Sequence, residues 1–234
     1  YLHRLSDPIP PPKPRPRPPA ALGPVQEYLA LPTMPPEQIE ALGASLGVSA
    51  ASLARLGCRW SFDHHAACFP MRDWQGEIVG VRLRTSDGRK LAITGSHAGL
   101  FIPDGEVGDL IIDLWICEGP TDAAALLDLD VYAVGRPSCS GGTDLILPLA
   151  VGRNVIIMAD ADEPKTRPDG STWRPGKDGA KALADAVHGH ARTVKIIYPI
   201  TGKDIRDWLR AGLTPEALRC LAKNTQPYRP RKGK

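Results

Sequence analysis

The sequence predicts an α/β fold: a Rossmann-like parallel sheet flanked by helices, preceded by a smaller α+β subdomain. Three observations carry that reading. Residues 110–118 (LIIDLWICE) and 154–159 (NVIIMA) are short, nearly continuous apolar runs rich in branched side chains, the pattern of strands buried on both faces. Each run ends abruptly in carboxylates, Glu118 after the first and Asp160-Ala161-Asp162 after the second. Helical stretches at 120–130 and 177–187 follow them, the alternation that builds a parallel sheet.

The remaining elements follow in chain order. Residues 1–24 hold a basic, proline-rich run (PIPPPKPRPRPPAALGP) that cannot enter a helix or sheet interior and reads as an extended linker. Helices are expected at 25–31, 36–46 and 48–56, the last capped by Ser49. Strands are expected at 67–72, 77–84 and 90–94, joined by turns at 73–76 and 86–88. Alternation puts Arg82 and Arg84 on one face, opposite Val81 and Leu83, with Arg89 and Lys90 at the neighbouring turn. Taken alone, that is the pattern of a solvated sheet face. A strand at 131–135 leads into Arg136–Gly142, a glycine-serine loop of the kind that presents N–H groups to phosphates, although ordinary turns use the same residues. Residues 163–176 read as a mobile surface loop, 177–187 as an amphipathic helix, and 193–200 as a last strand ending near Lys203-Asp204. Asp207 reads as a helix-start residue. A closing helix at 214–223 is capped by Thr214 with Pro215 in its first turn, and the basic tail from Arg229 reads as disordered. The division expected is 1–24 linker, 25–106 α+β subdomain, 107–212 parallel-sheet subdomain, and 213–234 closing helix and tail.

Composition narrows the function classes. An apolar share of 42% supports a packed core, and no apolar run approaches the roughly 20 residues that span a bilayer. Five scattered cysteines lack disulfide-like spacing, which favours a reducing, cytoplasmic setting. The net charge of +3 is uneven, with basic ends and a basic 82–90 region set against acidic strand ends. That asymmetry suits a polyanion held near a metal site. Tyr1 in place of Met reads as the start of a fragment.

The chemistry is concentrated at the strand ends. Glu118 sits at the carboxyl end of a strand, where open α/β sheets bind ligands, and Asp122 follows one helical turn later. Asp160 and Asp162 face the same way in an extended chain, and Asp204 lies just beyond the last strand. Gathered carboxylates repel one another unless a cation sits among them, and hard oxygen donors suit Mg2+ or Mn2+. Cys58, His64, His65 and Cys68 have the residue types of a zinc site but no Cys-x-x-Cys pair, so buried cysteine and surface histidine is the preferred reading.

Glu118-Gly119-x-x-Asp122, Asp160-x-Asp162 and Lys203-Asp204, in that order, resemble the TOPRIM domain shared by DnaG-type primases, topoisomerases and some nucleases. The segment before it, Phe69-Pro70-x-x-Asp73-x-x-Gly76-x-x-Val79-Gly80, then Arg82-x-Arg84, Ile93–Ser96 and Gly99–Phe101, is similar to the N-terminal subdomain of the primase polymerase core, most of all in phage primase-helicases. The resemblance covers about residues 45–212. It implies RNA primer synthesis from ribonucleoside triphosphates on a single-stranded DNA template, with two or more Mg2+ or Mn2+ ions, in a bacterial or phage-infected cell beside a replicative helicase in cis or trans. It implies a metal-binding set of Glu118, Asp122, Asp160, Asp162 and Asp204, with Glu118 also a general base and Asp160 and Asp162 catalytic. Arg82, Arg84, Arg89, Lys90 and Lys203 would contact nucleotide or template. Two features depart from the family. The glycine usual after Asp-x-Asp is displaced by Glu163 and an insertion, with Gly179 as its stand-in, and the zinc-binding domain that precedes this region in primases is not among these residues. The rival readings are a non-catalytic single-stranded-DNA-binding module of a helicase, and a TOPRIM nuclease.

Overall fold

A computed structural model of the chain describes residues 23–105, 113–167 and 169–230. Most of the expected linker, the start of the first apolar run together with the expected 106/107 boundary, and the end of the basic tail lie outside the described residues.

Helices α1 (Pro24–Ala30), α2 (Pro36–Leu46) and α3 (Ala50–Arg55) open the described chain. The first two begin on proline, whose missing N–H has no helical partner there anyway. The third is capped as expected, with Ser49 Oγ accepting from Ser52 N at 3.0 Å. An antiparallel sheet follows in the order β1 (Arg59–Ser61), β2 (Ala66–Arg72), β3 (Ile78–Thr85) and β4 (Lys90–Ala92). The sequence pattern missed β1, which is three residues long and shows no clear alternation. It also extended β4 by two residues. Val81 and Leu83 are buried in a cluster with Tyr28 of α1, so Arg82 and Arg84 occupy the other face.

The parallel sheet is built from β5 (Leu114–Glu118), β6 (Ala133–Arg136), β7 (Asn154–Met158) and β10 (Thr193–Ile197), in the order β10-β7-β5-β6. Between them run α4 (Pro120–Leu127), α5 (Thr143–Ala150), the hairpin β8 (Lys165–Thr166) and β9 (Thr172–Trp173), and α6 (Pro175–Val187). Helices α7 (Ile205–Arg210) and α8 (Pro215–Asn224) close the chain. Strand alternation decides which side chains meet which helices. Trp115, Cys117, Ile156 and Met158 pack with α4, α7 and α8, whereas Leu114, Ile116, Val155 and Ile157 pack with α5 and α6.

Two further elements differ from expectation. Helix α5 went unread because its segment, TDLILPLA, is apolar around most of its circumference and carries Pro148 inside. Residues 163–176, expected as an irregular loop, contain the β8–β9 hairpin and the first turn of α6, which begins at Pro175.

The two sheets are stitched together through one extended segment. Leu100 exchanges two backbone hydrogen bonds with Arg72 at the end of β2, both 2.7 Å, and Phe101 exchanges two with Gly135 of β6 at 2.9 and 3.0 Å. This pairing covers the open edge of β6 and turns the arginine face of the antiparallel sheet towards the carboxyl ends of the parallel strands. Further ties run from α3 to Asp128 after α4, where Ser49 and Ser52 donate to its carboxylate, and from Arg210 of α7 to Leu46 O at 2.8 Å.

Candidate active site

The turn after β5 sets the geometry. Gly119 has φ +82, a conformation costly for any residue with a Cβ, and it frees the chain to begin α4 at Pro120 immediately beyond Glu118. Asp122 then falls in the first turn of α4, 4% exposed. Asp160 and Asp162 follow β7 directly, and Asp204, 7% exposed, is the N-cap of α7. All five carboxylates line one cleft of about 260 Å3 at the carboxyl ends of the strands.

The structure therefore brings together every acidic candidate, and Lys90 and Lys203 with them. Lys203 Nζ lies 3.2 Å from Asp162 Oδ1, which holds its ammonium pKa above the ordinary lysine value. Arg84 stands on the facing sheet; burial lowers its pKa, as does nearby Arg206, while Asp122 and Asp204 pull it back up. Arg82 is also lowered by burial and reaches Pro137 O at 3.5 Å, beside the glycine-serine loop. Arg89 stays apart on the exposed β3–β4 turn, paired with Asp87 at 2.8 Å.

The carboxylates are unequally satisfied. Asp204 Oδ1 accepts the backbone N–H groups of Arg206 and Asp207, both at 3.0 Å, and its Oδ2 lies 2.5 Å from Arg206 Nη2. Asp122 Oδ1 accepts from Arg206 Nε at 2.7 Å. Asp162 Oδ2 accepts from Gly176 N at 3.1 Å. Among the described residues, neither Glu118 nor Asp160 has an ion-pair partner. Burial pushes Asp160 up to about 8, reinforced by Asp122, Glu118, Asp162 and Asp204. Burial also raises Asp122 to about 7, against the pull of Arg206.

Such a site takes up either a proton or a cation. The donor set, all hard oxygens with two side chains lacking a cationic partner, fits Mg2+ or Mn2+. Among the described residues no three His, Cys, Asp or Glu side chains already converge around one point, so binding would require carboxylate rotations.

Sequence reasoning missed Arg206, the cation bridging Asp122 and Asp204, although an arginine two residues after a capping aspartate was a usable signal. It also missed Arg136, which is paired in strand register with Glu118, 5% exposed, and donates to Gly141 O at 2.9 Å. Lys165 and Trp173 of the hairpin line the cleft as well. Gly176 and Gly179 are both close-approach glycines, and Gly176 is the one against the Asp160 backbone. A Cβ on Gly176 would lie 2.3 Å from Asp160 O, and one on Gly179 would lie 2.3 Å from Cys139 O. The cysteines near β1 and β2 are buried; burial raises the Cys68 thiol to about 12 and raises Cys58 as well, which disfavours the thiolate that zinc requires. His64 instead meets Glu27 at 2.5 Å.

No family model matches the sequence, and no curated protein matches it. Solved structures do match. A DnaG primase catalytic domain bound to single-stranded DNA is similar over 87% of this chain and 78% of its own, at 17% identity and TM-score 0.62. The Escherichia coli primase catalytic core covers 82% and 75%, at 18% identity and TM-score 0.59. A bacteriophage T7 assembly, in which primase domains are bound to an RNA/DNA hybrid and dTTP, matches over 79% and 91%, at 16% identity and TM-score 0.58. The stitched pair of sheets thus has the fold of DnaG-type primase catalytic cores.

Proposed function

We propose that this chain is a DNA primase catalytic core that synthesises short RNA on single-stranded DNA. The observation that supports this most is the gathering of Glu118, Asp122, Asp160, Asp162 and Asp204 from three strand ends into one cleft opposite Arg84 and Lys90. The T7 neighbour's hybrid and dTTP, and the DnaG neighbour's single-stranded DNA, are the ligand classes expected here. A replicative helicase in cis or trans would complete the system. Five unpaired cysteines suit the reducing cytoplasm of a bacterial or phage-infected cell, and no helix among the described residues is long and apolar enough to cross a membrane.

Glu118, Asp122, Asp160, Asp162 and Asp204 would hold divalent cations, which when bound supply charge neutralisation at the triphosphate and activation of the primer 3′ hydroxyl. The residues themselves do the rest. Glu118, at the end of β5, would take the proton from the attacking hydroxyl. Lys203, Lys90 and Arg84 offer positive charge to the triphosphate and the leaving pyrophosphate. Arg82 and the backbone N–H groups of the 136–142 loop extend that positive surface towards the template.

The direct test is oligonucleotide synthesis from labelled ribonucleotides on single-stranded DNA with Mg2+ or Mn2+. Template-dependent products that weaken steeply with salt are expected. Cleavage of supercoiled plasmid without synthesis would identify a nuclease instead, and DNA binding unaffected by Asp160→Ala with no product would identify a binding module.

A further inference from the structure

The five clustered carboxylates are not equally available. Arg206 places Nε 2.7 Å from Asp122 and Nη2 2.5 Å from Asp204, and its side chain is only 19% exposed. The second oxygen of Asp204 is committed to capping α7 through two backbone N–H groups. A planar guanidinium shared by two buried carboxylates makes directional, charge-assisted bonds, and expelling it would strand a buried arginine. A divalent ion approaching this corner meets a fixed positive charge and no free carboxylate oxygen on Asp204. Glu118 and Asp160, at the carboxyl ends of the adjacent strands β5 and β7, meet neither obstacle. Asp162 is intermediate: its partner Lys203 is 63% exposed on a flexible stem and can swing into solvent.

We propose that Arg206 is a fixed internal cation that withdraws Asp122 and Asp204 from metal ligation, so that a divalent ion is received by Glu118, Asp160 and Asp162 alone. This rests on the cation-dependent site of the proposed function but narrows its ligand set. It makes Arg206 a positioning residue: it locks α7 onto α4 and keeps the incoming ion at the β5–β7 side of the cleft, nearer the general-base candidate Glu118.

The test is equilibrium Mn2+ binding by the whole chain, followed through the electron paramagnetic resonance signal of the free ion, with a thermal melt on every variant. Asp160→Asn should weaken Mn2+ binding by about tenfold or more, while Asp122→Asn and Asp204→Asn should change it by less than about threefold, even where they lower the melting temperature. Arg206→Gln should increase the number or affinity of bound ions, and adding Asp122→Asn should cancel the gain. If Arg206→Gln does not fold, the contrast between Asp160→Asn and the other two asparagine variants still decides. Asp122→Asn or Asp204→Asn weakening Mn2+ as much as Asp160→Asn overturns the proposal, as does a wild-type chain that binds no Mn2+ at millimolar concentration. Absence of primer synthesis with the binding pattern intact would overturn the polymerase reading and leave this ligand assignment standing.

Discussion

The two ends of the parallel sheet differ in a way that size alone would misjudge. The amino ends open on the larger hollow, about 680 Å3, lined by Trp115, Ile156, Lys195 and Arg219 among others. Polar side chains at its centre are paired: Lys195 donates to Ala222 O at 2.5 Å, Thr193 to Asn154 at 2.9 Å, and Asn154 to Asp113 at 2.9 Å. The carboxyl ends hold a cleft of about 260 Å3 in which five carboxylates face each other and Asp160 has no cationic partner among the described residues. Uncompensated charge, rather than volume, marks the end where chemistry belongs, because leaving it buried costs folding energy that only a ligand or a proton recovers.

The widest separation between the two ends should come from Asp160→Asn and Glu118→Gln. Each is expected to lower primer synthesis by about 10^2-fold or more, the scale of losing one preorganised electrostatic group. Neither should lower the melting temperature in EDTA, and a fall there would mean that the carboxylates support the fold instead. Next, Arg206→Gln should cost about 3 kcal/mol in urea unfolding, because it leaves Asp122 and Asp204 buried beside each other without their guanidinium. Stability of the metal-free protein should then fall as pH rises. Folded Asp160 keeps its proton up to about 8 while the unfolded chain releases it near its ordinary value of 3.8, so the folded state holds the extra proton across that window. The contribution is fully present below about 4 and gone above about 8. Urea midpoints at pH 5, 7 and 9 in EDTA, compared with Asp160→Asn, isolate it, and added Mg2+ should flatten the slope. The smallest effect belongs to the amino end: Arg219→Ala removes an exposed pair with Glu216 at 3.3 Å and should shift stability by under about 0.5 kcal/mol with synthesis unchanged.

Legibility followed the strength of periodic signals. Strands β5 and β7 and their acidic ends were readable because burial on both faces writes an apolar run, and a ligand site at the strand end breaks it abruptly. The Ser49 cap and the prolines opening α2 and α8 were readable because helix ends need particular residues whatever they pack against. Helix α5 was not, since apolar residues on nearly every side erase the 3.6-residue period. Within the site, each carboxylate announced itself locally, but the role of Arg206 depends on α7 docking against α4, a tertiary contact that leaves no periodic trace. Arg89 illustrates the converse: it was expected beside Lys90 at the turn and grouped with it by the resemblance, yet it pairs with Asp87 while Lys90 lines the cleft.

The measurement closest to the central claim is cleavage of the protein's own backbone by hydroxyl radicals generated from Fe2+ substituted at the cation site. Cuts should cluster at residues 118–122 and 160–162, with weaker ones near 203–206, and should vanish with excess Mg2+ or in Asp160→Asn. Cuts concentrated around Trp115 and Lys195 at the opposite end of the sheet, or cuts indifferent to Mg2+, would contradict it.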